Sequence, residues 1–221
     1  MTQPKPYDPK KTALIIVDLQ PDFMPGGALP VEEGDTLVEP IRELMASLDP
    51  GLSVATQDWH PPGHVSFVSS HEGHEPMDVI QLHGHDQVLW PDHCVQGTPG
   101  ADLHPRMDWR PVNAIIRKGT DPGSDSYSGF RNNWNQEGER PTTGLEGYLK
   151  ERGIETVMVC GLARDVCVKW TAEDAAAAGF RTLFLWDLTR PVDAGVDDQV
   201  REDLTRVGVE IVDSADVSGS S

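Results

Sequence analysis

The chain has 221 residues, long enough to bury a core without staples and short enough to be one domain. Eighteen Lys and Arg stand against thirty-six Asp and Glu, a net charge of −18. So acidic a surface repels nucleic acid and anionic membrane, which speaks against both as partners; solvation is the plain explanation for it. Three scattered cysteines, Cys94, Cys160 and Cys167, make no disulfide framework and point to a reducing compartment. The stretch M-T-Q-P-K-P-Y-D-P-K-K has no apolar signal core, and no apolar run approaches membrane-spanning length. A cytoplasmic protein is expected.

The first predicted strand is T-A-L-I-I-V, Thr12 to Val17, with Asp18 directly after it. A helix is predicted from about Asp35, its N-cap, to Leu48, ahead of Pro50-Gly51. L-S-V-A-T-Q-D, Leu52 to Asp58, is the second strand. A long irregular region follows from Trp59 to Asp108, rich in His, Pro, Gly and Asp, and it holds all eight histidines. Loops of that length inside a compact domain are usually functional. N-A-I-I-R, Asn113 to Arg117, is a strand with Lys118 after it. Thr143 to Arg152 is a predicted helix closed by Gly153. T-V-M-V-C-G-L, Thr156 to Leu162, is the next strand, and Cys160 within it reads as a small buried hydrophobe. A helix from about Asp165 to Ala178, a strand Arg181 to Asp187, a helix Val196 to Val207 and a strand Val209 to Asp213 complete the pattern. The tail S-A-D-V-S-G-S-S is expected to be loose. Six strands alternating with helices imply an α/β protein of three layers, its parallel sheet covered on both faces. Right-handed crossovers then bring every strand's carboxyl end to one edge.

That edge is where open parallel sheets bind ligands, and it collects Asp18, Lys118 and Cys167. A carboxylate, an ammonium and a thiol together make a charge-tuned nucleophile. In C-G-L-A-R-D-V-C-V, Cys160 to Val168, the cysteine falls in the first turn of a helix, where the dipole and free N–H groups favour a thiolate and can hold an oxyanion. Burial as a structural residue is the commoner fate of cysteine, but the placement after a strand end favours the nucleophile. Asp18 alone reads as a capping residue as readily as a general base, and Lys118 alone as a solvated charge. Side by side, the lysine would favour the ionised form of both partners. Asp58-Trp59-His60 sets a carboxylate and an imidazole on one strand face, a weak signal by itself. His93, in W-P-D-H-C-V-Q-G-T, offers a third ligand, and three protein ligands leave positions open for water or substrate.

Taken together, D-L-Q-P-D-F with G-G-A-L, D-W-H-P-P-G-H-V-S-F, W-P-D-H-C-V-Q-G-T-P-G-A, K-G-T…D-S-Y-S-G-F and G-L-A-R-D-V-C-V-K-W-T-A resemble, in order, the nicotinamidase branch of the isochorismatase-like hydrolases. The resemblance spans Asp18 to about Ala178. It implies the isochorismatase-like hydrolase fold over 1–221 as a single domain, with 59–108 as the metal and substrate loop region. It implies a cysteine amidase that hydrolyses nicotinamide to nicotinic acid and ammonia through a thioester. By it, Asp18, Lys118 and Cys167 are the catalytic triad, and the Ala163 and Cys167 N–H groups the oxyanion hole. Asp58, His60 and His93 hold one divalent metal, zinc first, with iron or manganese as alternatives, and Ser66 holds one of its waters. Phe23, Trp90 and Tyr127 surround the substrate ring, and Leu162–Ala163 matches a cis peptide bond. Self-association is common in the family, so a homo-oligomer is an expectation. The chain departs from the family pattern at Pro21, where Asn is usual, and at Arg164 and Val166, where Thr and an aromatic or His are commoner.

Three rival readings share parts of this pattern. A cysteine hydrolase of the same fold acting on a carbamoyl or ureido substrate needs the triad but has less use for the Asp58, His60 and His93 set. Vinyl-ether hydrolysis needs no cysteine nucleophile, so Cys167 speaks against it. A catalytically silent metal-binding protein would have no need of Asp18, Lys118 and Cys167 together.

Overall fold

A computed structural model describes residues 6–217. Its first strand, β1 (Thr12–Val17), is buried along its whole length. Side chains alternate between the faces of a strand, so Leu14 and Ile16 enter one core while Ala13, Ile15 and Val17 enter the other. Around β1 lie β2 (Leu52–Asp58), β5 (Ala114–Lys118), β6 (Thr156–Leu162), β7 (Arg181–Arg190) and β8 (Glu210–Val212). They form one parallel sheet in the order β5-β2-β1-β6-β7-β8. A separate antiparallel hairpin, β3 (Val79–Leu82) and β4 (His85–Val88), stands inside the region expected to be irregular.

Helix α1 (Val38–Leu48) covers one face with Val38, Ile41, Leu44, Met45 and Leu48. Helices α2 (Leu145–Lys150), α3 (Lys169–Ala177) and α4 (Asp197–Arg206) cover the other through Leu145, Leu149, Ala172, Ala175, Val200 and Leu204. The expected three layers are present. The chain builds outward from β1 to β2 and β5, then returns to β6 on the far side of β1. The switch point between β1 and β6 is where such sheets open a binding crevice. Among the described residues no helix is long and apolar enough to cross a membrane.

Several boundaries differ from expectation for identifiable reasons. Asp35 caps no helix: Gly34–Leu37 is a 3-10 turn and α1 starts at Val38, preceded by Leu37. Pro40 accounts for this. A helix begun at Asp35 would need an N–H from Pro40, whereas from Val38 that residue lies in the first turn, where no donor is required. The strand predicted to end at Asp187 continues to Arg190, because after a register shift Thr189 and Arg190 pair with Gly161 and Leu162. The predicted helix at Asp165 opens instead as a π-turn, Arg164–Val168, and becomes regular at Lys169. The segment Thr143 to Arg152 contracts to α2, with Gly144 before it at φ 92°. Part of the tail is ordered: Ser214–Val217 form a short turn, α5, and the Tyr7 hydroxyl donates to the Val217 carbonyl at 2.5 Å. Residues 218–221 lie outside the described residues.

Gly161 is the tightest point of the sheet near the site. Its φ is 113°, and a Cβ there would lie 2.1 Å from the Val17 carbonyl oxygen. Gly161→Ala is predicted to destabilise the protein by about 1–3 kcal/mol, as overpacking does, read as a lower denaturation midpoint. An unchanged midpoint would show that β1 and β6 can part without cost.

Candidate active site

Four adjacent strands, β5, β2, β1 and β6, end together and deliver the site. Asp18 follows β1 in the left-handed region, φ 45°, and is fully buried. Its N–H donates to Thr56 Oγ1 at 3.1 Å, and the Thr56 hydroxyl donates to Asp18 Oδ1 at 2.6 Å. Asp18 Oδ2 is ion-paired with Lys118 Nζ at 2.8 Å. Lys118 is the last residue of β5 rather than the one after it, directly across from Asp58 in the register. Its ammonium is also buried, and it donates to Asp58 Oδ1 at 2.5 Å, to the Ser126 carbonyl at 3.0 Å and to Cys167 Sγ at 3.4 Å. Ligating atoms of Asp18, Asp58 and Cys167 all lie within 4.8 Å of one another.

The charges divide the two carboxylates. Burial pushes Asp18 up to about 6, against the opposing pull of Lys118. Burial also works against the Asp58 carboxylate, but Lys118, His60 and His93 outweigh it and hold this residue well below the usual carboxylate range. Burial would discharge Lys118, yet Asp18 and Asp58 keep it charged well above its ordinary value. For Cys167 burial dominates, and Asp18 and Asp58 add to it against Lys118, so the thiol titrates well above its usual value. The resting group is a thiol rather than the thiolate expected from a helix start. Cys167 lies in the π-turn before α3 rather than in the first regular turn of that helix.

Beside this group stands the second half of the site. His60 lies beyond the end of β2, held by a bridge to Val95 rather than on the strand face with Asp58, but the rings still converge. His60 Nε2 and His93 Nε2 lie 3.5 and 3.7 Å from Asp58 Oδ2. Their other nitrogens meet backbone carbonyls, His60 Nδ1 at Gly119 (3.1 Å) and His93 Nδ1 at Pro91 (2.7 Å). Each Nδ1–H thus donates outward, and each Nε2 is turned toward Asp58. That is how metal-binding imidazoles are oriented, and one carboxylate with two such rings fits a divalent cation. Gln20 secures the Asp58 backbone, accepting from its N–H at 2.8 Å and donating to its carbonyl at 2.9 Å.

Phe23, Trp90 and Tyr127 line one pocket with Asp58, His60, His93, Ala163 and Cys167, around some 330 Å³ of empty space. The Phe23 ring is 5.5 Å from that of His93, and Trp90 and Tyr127 meet edge to face at 6.1 Å. The Tyr127 hydroxyl accepts from Trp90 Nε1 at 3.1 Å and from Gln87 Nε2 at 2.8 Å, which locks the pair. The Leu162–Ala163 peptide is cis. Ser66 is buried with its hydroxyl committed to His64 Nδ1 at 2.8 Å. Of the departures, Pro21 opens the short turn carrying Phe23, and Val166 lines the pocket. The buried Arg164 guanidinium is anchored to Thr189 and Asp197. Among the eight histidines only His60, His64 and His93 gather here; His85, for example, stacks on Trp134 at 3.9 Å. Thr56, Gln20, Gln87 and Asp125 join the site with no motif in the sequence to mark them. Thr56 alone carried a signal there, standing two residues before Asp58 on the same strand face.

The model of the isochorismatase domain matches residues 12–216. The chain belongs to the isochorismatase family. Among curated relatives of this family it is similar to a nicotinamidase from Acinetobacter baylyi, 45% identical over 93% of this chain and 94% of the relative. Among solved structures it is similar to an Acinetobacter baumanii nicotinamidase and pyrazinamidase, with a TM-score of 0.89 and 42% identity over 96% of this chain and 100% of the other. A pyrazinamidase from Pyrococcus horikoshii in complex with zinc gives a TM-score of 0.73 at 35% identity, over 92% of this chain and 99% of the other.

For this isochorismatase-family site, metal-stripped protein is predicted to take up about one equivalent of divalent cation per chain. His60→Ala should take up far less. Equal uptake by the variant, measured by elemental analysis after dialysis, would move the metal elsewhere.

Proposed function

We propose that the protein hydrolyses nicotinamide to nicotinic acid and ammonia by acyl transfer through Cys167. The observation that carries this reading is the position of Lys118 Nζ, in contact at once with Asp18, Asp58 and Cys167. It couples a cysteine nucleophile to a metal donor set within one aromatic-lined pocket. The similarity to nicotinamidases over nearly the whole chain supports the substrate.

In the proposed reaction the Asp18 carboxylate takes the Cys167 thiol proton as the sulfur attacks the carboxamide carbon. The Ala163 and Cys167 N–H groups receive the oxyanion, a contribution of roughly 3–4 kcal/mol for each such donor. Asp18 then passes its proton to the leaving nitrogen, the C–N bond breaks and ammonia departs, leaving a thioester on Cys167. Asp18 next accepts a proton from water as that water attacks the thioester, and the proton returns to sulfur as the acid is released. Lys118 stays charged throughout and offsets the negative charge passing between oxygen and sulfur. Phe23 and Trp90 pack against the ring, and Tyr127 holds Trp90 in place. A divalent metal on Asp58, His60 and His93 would supply a Lewis-acid anchor for the ring nitrogen; zinc fits these donors, and iron or manganese are accepted by the same set. The same pocket distinguishes this reading from carbamoyl or ureido hydrolysis, which the triad alone would serve equally well.

Cys167→Ala is predicted to lower ammonia release from nicotinamide by at least ~10⁴-fold while leaving the unfolding midpoint near that of the wild type. Turnover within tenfold of the wild type would remove Cys167 as nucleophile. Asp18 must be ionised to accept the thiol proton, and it titrates at about 6. The value of kcat/KM should therefore hold above that pH and fall about tenfold for each unit below it. A profile flat down to pH 4.5 would exclude Asp18 as the base.

A further inference from the structure

Asp125 lines the pocket from the loop after β5 and is only 2% exposed. Its Oδ1 accepts the Ser126 N–H at 2.7 Å. Its Oδ2 meets only Gln87 Nε2, at 3.3 Å. That amide has two protons and three acceptors, with the Val88 carbonyl and the Tyr127 hydroxyl both closer at 2.8 Å, so Oδ2 has the weakest claim on them. No Lys or Arg pairs with Asp125 among the described residues. A buried carboxylate this poorly served is costly unless a cation compensates it.

His64 does not supply that charge. Donor atoms of His60, His64 and Asp125 lie within 4.8 Å of one another. His64 Nδ1 accepts the Ser66 N–H at 3.2 Å and therefore carries no proton, while Nε2 meets the Asp121 carbonyl at 2.8 Å. Both nitrogens are committed and the ring is neutral. The buried charges around the pocket are then three carboxylates, Asp18, Asp58 and Asp125, against the one ammonium of Lys118. With His60 and His93 as neutral metal donors, the excess is two negative charges, which a divalent cation would cancel.

We propose that Asp125 is a positioning residue of the metal centre. Its carboxylate supplies the negative charge that Asp58, already shared with Lys118, cannot give in full, and it does so beside the ligand His60. The proposal rests on the reading of Asp58, His60 and His93 as the metal ligands. Partners behind the ligands of metal sites commonly set affinity by one to two orders of magnitude.

The test is a zinc titration of metal-free wild type and Asp125→Asn against a chromophoric chelator, with thermal unfolding followed with and without zinc. Asp125→Ser, whose hydroxyl can still accept from Ser126, serves as a second neutral variant. Zinc should bind each variant about 10–100-fold more weakly than the wild type. The zinc-induced rise in unfolding temperature should shrink, while the metal-free variants unfold no earlier than the metal-free wild type. A purely structural role predicts the reverse, metal-free proteins that unfold earlier and bind zinc unchanged, and that result overturns the proposal. If the wild type itself binds no zinc, iron or manganese, the metal reading fails and this one with it. Equal zinc affinity in wild type and variants leaves the metal reading standing and removes Asp125 from it.

Discussion

The buried ammonium of Lys118 is the interaction on which the rest of the site depends. An isolated charge in that position would be discharged by its surroundings, and either carboxylate alone would face the same penalty. Two carboxylates around one ammonium make the arrangement tolerable, with Asp18 at 2.8 Å and Asp58 at 2.5 Å. Parallel register sets this directly, because Asp58 and Lys118 are opposite one another at the ends of β2 and β5, and β1 lies next to β2. The loop that follows folds back to give Lys118 the Ser126 carbonyl, which buries the end of an edge strand.

Sharing one cation forces the carboxylates apart in behaviour. Asp58 has the ammonium and two imidazoles, and stays ionised; Asp18 has the ammonium and the Thr56 hydroxyl, and burial pushes it up to about 6. Two similar groups are thereby suited to different tasks, one to remain charged and one to exchange a proton. The thiol follows the same logic. It is enclosed and close to two carboxylates, and both conditions favour its protonated form.

Much of this was legible before any coordinates. The alternation of apolar runs with amphipathic stretches placed all six sheet strands within a few residues, because burial on both faces leaves little freedom in such segments. The strand-end positions of Asp18, Asp58 and Lys118 followed from it. Boundaries failed where a local feature overrode the pattern. Pro40 delayed α1, Gly144 shortened α2, and renewed pairing with Gly161 and Leu162 lengthened β7. The hairpin of β3 and β4 was hidden in a composition that reads as loop. Thr56, Gln20, Gln87 and Asp125 owe their roles to partners 38 or more residues away, or to a pocket wall, and no spacing in the chain announces such contacts.

By itself the amino-acid sequence determined the fold class, the order of the strands along the chain and the chemical types delivered to the sheet's carboxyl edge. These are consequences of local periodicity and of chain connectivity, both written in consecutive residues. Only the tertiary structure decided which of those groups share a charge, that Cys167 rests as a thiol, that His60 and His93 turn their Nε2 atoms inward, and that Asp125 faces the same pocket with no Lys or Arg partner among the described residues. Those outcomes depend on distance and burial in three dimensions, where a shift of an ångström or the loss of water changes the electrostatic balance more than any change in sequence spacing would reveal.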